Sequence, residues 1–242
     1  MVLQMYLVEE LGRKKVFGLS TSIPLTKQTV ISSIEELIKS WVLLNNYGHL
    51  YDTLEAERVW LDLALTDGKL HDVFMGCMPD KQCQQYARNI LEKEDLFRFH
   101  HLISLALIKR LYRKNHKENE EFSKWVEMVK ALLRDTLPST KPREGSKLER
   151  ALGIFNTIRR VSYVLLDINR STLFVRIDSN NLLRTLMQQP ESVLYDPESE
   201  FNKTIDDMGR LLFSEVYSSE KACKFKYQYI MGQKKKYNQK KG

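Results

Sequence analysis

From residue 24 onward, apolar positions recur every three or four residues, so the chain reads as a succession of amphipathic helices. Val30, Ile31, Ile34, Leu37, Ile38 and Trp41 form the first stripe, with Thr26 placed to cap it and Gly48 to end it. Asp52 or Thr53 can cap the next helix, with Glu55 and Glu57 as first-turn acids and Leu54, Val59, Trp60, Leu61 and Leu63 as its buried face. Asp67-Gly68 stops it, and Asp80 can cap a further helix through Tyr86, Ile90 and Leu91. The strongest pattern covers residues 94–117, where Leu96, Phe99, Ile103, Leu107 and Leu111 share one stripe. Glu92, Glu94 and Asp95 read as acids complementing the start of that helix. Phe122, Trp125, Val126, Val129, Leu132 and Leu133 mark another helix, beginning at Asn119 or Glu120.

Two regions break this period. Segments 2–8 and 15–19 are β-prone and flank Leu11-Gly12-Arg13, so a hairpin is expected there, with Ile23-Pro24 closing the extended part. Residues 138–146 contain Pro138, Pro142 and Gly145, cannot continue a helix, and are expected to be a linker. Ser146 followed by Glu149 matches a capping box, and Leu148, Leu152, Phe155 and Ile158 then predict a helix from 147 to at least 163. Residues 161–178 fit either a helix breaking near Asn169 or a hairpin around Asn169-Arg170-Ser171; helices resume over 180–188 and 198–217. The expected fold is mainly α, a multi-helix globular protein with a small N-terminal β-hairpin. Its expected organisation is a hairpin plus helical lobe over 1–137, the linker 138–146, a second helical lobe over 147–232 and a basic tail over 233–242.

At 43% hydrophobic and 29% charged, the chain can bury a core without disulfide support. Cys77, Cys83 and Cys223 are odd in number, which suits a reducing compartment, and an intracellular location, cytoplasmic or nuclear, is expected. The acids Glu9 and Glu10 argue against a signal peptide. The longest apolar runs, such as residues 105–108, are far short of the roughly 20 residues of a membrane span, so no transmembrane segment is expected.

Charge changes the picture most. The chain is +7, and residues 221–242 hold eight lysines and no acid; residues 1–220 therefore carry 30 basic and 31 acidic side chains, a net −1. A near-neutral body with a basic, aromatic end suggests a polyanion partner. Lys224, Lys226, Lys234, Lys235 and Lys236 are candidate phosphate contacts, and Tyr227, Tyr229 and Tyr237 are candidate stacking platforms for unpaired bases. Lys109, Arg110, Arg113, Lys114 and Lys117 form a second basic ridge at a helix end. Both clusters also admit a bland reading, in which Phe225, Tyr229 and Ile230 pack the last helix and the ridge merely complements a helix dipole.

The expectation is a non-catalytic nucleic-acid-binding protein. RNA or single strands are favoured over duplex because no recognition-helix motif stands out. The alternative is a helical interaction scaffold or matrix-type protein that binds protein partners and holds an anionic membrane through its basic end. No phosphate-binding loop, dinucleotide fingerprint, nucleophile elbow or His-Glu-x-x-His stretch is present, so neither catalysis nor a cofactor is expected. His71, Cys77, Cys83, His100 and His101 lack the short ligand spacing of a zinc clamp, and no metal site is expected. Phe99-His100-His101 reads as one packed and one exposed histidine.

Overall fold

The helical period is realised almost throughout the chain. The structure is a computed structural model that describes every residue except 18–21, 51–52, 115–119, 172–177, 189, 191–193, 195, 197 and 242. Among the described residues the helices are α1 (Val2–Arg13), α2 (Ile34–Tyr47), α3 (Thr53–Thr66), α4 (Gly68–Gly76), α5 (Lys81–Glu92), α6 (Leu96–Lys114), α7 (Glu120–Leu133), α8 (Lys147–Arg170), α9 (Ser179–Gln188), α10 (Glu200–Leu211) and α11 (Glu220–Lys241). Two short strands, β1 (Ile23–Pro24) and β2 (Val30–Ile31), pair as the small sheet near the N-terminus. The protein is thus mainly α with a small N-terminal hairpin.

The hairpin does not occupy residues 2–19. Residues 2–13 are helical because Gln4, Leu7, Val8 and Leu11, which all become buried, recur with the helical period. That packing overrides the β-propensity of the segment. Residues 15–17 form a turn, and 18–19 lie outside the described residues. The sheet's own turn is held by Thr26, whose Oγ1 accepts from the backbone N–H groups of Gln28 (3.1 Å) and Thr29 (2.9 Å). Thr26 therefore shapes a turn instead of capping a helix. Val30 and Ile31 are strand, and α2 is capped by Ser33, whose Oγ accepts from the Glu36 N–H at 3.1 Å.

The chain divides into two compact units, each assembled from separated segments. Unit 1 comprises Met1–Ile23, Ser32–Val42 and Gly145–Phe225; unit 2 comprises Pro24–Ile31, Leu43–Glu144 and Lys226–Gly242. In unit 1, α8 packs against α1 and α10. Trp41 and Phe155 meet in its core at 5.6 Å with rings tilted by 58°. Ser146 caps α8 through the Glu149 N–H (3.2 Å), while the Glu149 carboxylate reaches back to the Gly145 N–H (2.6 Å). Gly145 adopts φ +71°, a backbone conformation natural to glycine. Helix α8 runs through to Arg170, where Ser171 turns its hydroxyl back to the Ile168 carbonyl (2.8 Å). Of the segment 161–178 for which a hairpin was the alternative, residues 172–177 lie outside the described residues. After α10 the chain widens into a π-helical turn, Leu212–Tyr217.

In unit 2, α6 is the central element, packed by α3, α5 and α7. Neighbours on several sides explain why its buried face differs from the single stripe read from sequence. Phe99, Leu102, Leu105 and Ile108 are buried together with His100, His101 and Ser104, whereas Ile103 and Leu107 are half-buried and Leu111 is exposed. Asp80 caps α5 by accepting from the Cys83 N–H at 2.8 Å, and Asp67 caps α4 by accepting from the Lys69 and Leu70 N–H groups. Glu92 closes α5. Glu94 does not sit in the first turn of α6 but past the end of α5, at φ +51°, where the Asp95 N–H donates to the Ile90 carbonyl at 2.9 Å. Lys15 plays the same part after α1, at φ +58°, with the Val16 N–H donating to the Leu11 carbonyl at 3.2 Å.

Candidate nucleic-acid interface and a buried histidine cluster

Lysine and glutamine are good helix formers, and no proline interrupts the last twenty-two residues. Accordingly residues 233–241 continue α11 instead of forming a tail. Within unit 2 one face of α11 is matched to acids on and just after α3. Lys226 Nζ lies 3.7 Å from Glu55, Lys234 Nζ 2.9 Å from Asp62, and the Tyr237 hydroxyl donates to Asp67 at 2.7 Å. The partners advance in the same order along both segments, so the helices run parallel, with the first two rungs about two turns apart and the third about one turn further on. Tyr229 and Ile230 are half-buried on this side. Lys235 and Lys236 are exposed, as is Tyr227, at 65%. Lys224 and Phe225, at the unit 1 end of the helix, are also exposed, so Phe225 does not pack the helix as the bland reading supposed. The side chains of Lys240 and Lys241 are not among the described ones.

The second basic ridge is used differently. Lys109 Nζ donates to the carbonyls of Gly76 (3.0 Å) and Met78 (2.6 Å), which places its charge over the C-terminal end of α4. Arg110 is exposed. Arg113 and Lys114 belong to α6 with side chains outside the described set, and Lys117 lies outside the described residues. Of the candidate contacts, then, Lys226, Lys234, Tyr237 and Lys109 are engaged within unit 2, while Lys224, Lys235, Lys236, Tyr227 and Arg110 face solvent.

A second polar cluster, inside unit 2, was not anticipated. Glu57, read from the sequence as a first-turn acid, is wholly buried at 0% exposure; His100 and His101 are both buried, at 3% and 2%, against the expectation of one exposed ring. Gly48 makes the arrangement possible. A Cβ there would lie 1.9 Å from the His100 carbonyl oxygen and 2.3 Å from Ser104 Oγ, so only glycine lets the chain leaving α2 rest on α6. The Ser104 hydroxyl donates to the Leu44 carbonyl at 2.9 Å and fastens the same junction. His49, the next residue, then stacks on His100 with ring centroids 4.2 Å apart, and its Nδ1 lies 2.7 Å from Glu57 Oε1. His100 Nε2 is 3.1 Å from Asn45 Oδ1. A glycine-histidine pair at a helix end, followed eight residues on by an acid, was the only signal of this cluster in the sequence.

Among the described residues, His71, Cys77 and Cys83 are not grouped with His49, Glu57 and His100. His71 approaches Asp72 at 3.5 Å on the surface. Burial and the neighbouring Asp80 carboxylate push the Cys83 thiol well above its ordinary value. In unit 1 a cleft of about 470 Å³ is lined by Arg160, Ile205, Asp206, Gly209, Arg210 and Phe213. Its Arg160 guanidinium is already held by Asp206 (2.7 Å) and Asn202 (2.6 Å). Among the described residues no helix is long and apolar enough to cross a membrane. No protein-family model matches this chain, and no curated protein or solved structure matches it either.

Proposed function

We propose that the chain binds nucleic acid without catalysis, favouring RNA or single strands, through the solvent face of α11. The observation that carries the reading is that α11 concentrates the chain's excess lysine on one helix while Glu55, Asp62 and Asp67 take up only one side of it. Lys235 and Lys236 remain available to phosphate, and the exposed ring of Tyr227 offers a stacking surface for an unpaired base. Lys226, Lys234 and Tyr237 anchor the helix, so their role in binding is to hold the platform. On a single strand each phosphate contact contributes about 0.7 to the salt slope.

Fluorescence-anisotropy titrations with single-stranded RNA, duplex DNA and heparin at two salt concentrations test this reading. The expected result is salt-sensitive binding that prefers RNA to heparin, with K235Q/K236Q lowering the slope by roughly 1.4 and leaving the fold intact. Unchanged RNA affinity in that variant overturns the assignment. A second reading, an interaction scaffold held to an anionic membrane, is favoured by the exposure of Phe225, Tyr227 and Met231 among the lysines. Binding to vesicles containing phosphatidylserine without binding to RNA selects it.

A further inference from the structure

We propose that unit 2 holds a zinc-class divalent ion between His49, Glu57 and His100. One ligand atom from each residue lies within 4.8 Å of the other two, and these are two imidazole nitrogens and a carboxylate oxygen, a donor set suited to zinc. On a tetrahedron with bonds of about 2.0 Å, ligand atoms stand roughly 3.3 Å apart. His49 Nδ1 and Glu57 Oε1 stand 2.7 Å apart and the three ligand atoms all lie within 4.8 Å of one another, so side-chain movements of an ångström or so, about the difference from that value, complete the site.

The independent sign of a ligand is Glu57. Its side chain is sealed from solvent, and only Oε1 is engaged, by His49; Oε2 has no hydrogen-bond partner among the described residues. A buried carboxylate with half its acceptor capacity unused is costly, and a bound cation removes that cost. The surroundings are arranged as an outer shell. Asn45 Oδ1 accepts from His100 Nε2, which fixes the ring orientation and leaves the lone pair on Nδ1. The ion takes the place of the proton shared by His49 and Glu57, which passes to Nε2 of His49 or to water. His49 is 21% exposed and provides the way in. Water completes the coordination shell, as it does in other three-ligand zinc sites. The ligands come from the chain leaving α2, from α3 and from α6, so the ion ties three elements together.

The test uses the full chain, stripped with a chelator and titrated with Zn²⁺ by calorimetry, and with Co²⁺ by visible absorption. One zinc per chain is expected, with d–d bands of a four-coordinate cobalt site and a rise in melting temperature on adding zinc. Glu57→Gln, and separately His49→Gln, should each weaken zinc binding by more than the about 10- to 100-fold that losing an outer-shell partner costs. His49 is partly exposed, so its replacement keeps the test valid if Glu57→Gln fails to fold. His71→Ala, a surface control, should bind like the parent chain. Absence of stoichiometric zinc binding, or equal affinity in His49→Gln and the parent, overturns the proposal.

Discussion

Lys130 and Glu57 belong to the same unit and are both nearly sealed from water, yet their charges are answered very differently. Lys130, whose side chain is 7% exposed, sits between Asp80 (2.6 Å) and Glu127 (2.7 Å), and Asp80 in turn accepts the Cys83 N–H. Every charge there faces an opposite charge or a donor. Glu57 has one histidine beside one oxygen and, among the described residues, no hydrogen-bond partner for the other. The contrast teaches that burial of a charge is not itself a sign of function. The first cluster is closed on itself and fastens α5 to α7, whereas the second is short of a counter-charge and so points to something bound.

The sharpest way to break this comparison is to remove one charge from each cluster. Lys130→Met strands Asp80 and Glu127 and is expected to cost about 2–4 kcal/mol, at or just below the usual range for a broken buried pair because Asp80 is nearly half exposed. Glu57→Gln in chelator-treated protein is expected to change stability by less than about 1 kcal/mol, because the amide keeps the shape and removes a poorly compensated charge. Urea unfolding of both variants measures the difference. A cost for Glu57→Gln equal to that of Lys130→Met would show that Glu57 is as fully compensated as Lys130.

A smaller effect separates the clusters by pH. Burial pushes the Asp80 carboxyl up, but its hydrogen bonds to Lys130 and the Cys83 N–H, with the Lys130 charge, outweigh this and hold it below its ordinary 3.8. The unfolded chain therefore takes up this proton more readily than the folded one. The stabilisation from Asp80 is complete above that value and is lost as pH falls through the lower folded value. Lys130 is the mirror case. Burial pulls its ammonium down, yet Asp80 and Glu127 raise it above 10.5, so its stabilisation is complete below that value and lost at higher pH. Unfolding curves across both limbs should show Lys130→Met losing less stability than the parent chain at either extreme.

Much of the architecture was legible because its signals are local. Asp80, Asp67, Ser146 with Glu149, and Gly145 act within a few residues of themselves, and the structure uses each where the sequence placed a cap or a stop. Residues 2–13 misled because an apolar run of that length satisfies both strand propensity and helical period until a packing partner, here α8, decides. Glu57 misled for a different reason. An acid near the start of a helix looks the same whether it faces water or a histidine, and only the approach of α6 across Gly48 distinguishes the two. The anchoring of α11 was equally hidden, since the spacing of Glu55 and Asp62 complements that of Lys226 and Lys234 only once the two helices are side by side.

The left-handed residues Lys15 and Glu94 have a practical consequence. Each puts an L side chain where glycine would fit without strain, at a cost of about 1 kcal/mol, part of which is recovered in the unfolded chain by having fewer conformations to lose. Lys15→Gly and Glu94→Gly should each raise stability by about 0.5 kcal/mol, read as a higher midpoint in urea with an unchanged slope. Those two positions are therefore natural places to harden the protein against heat or handling without touching either polar cluster.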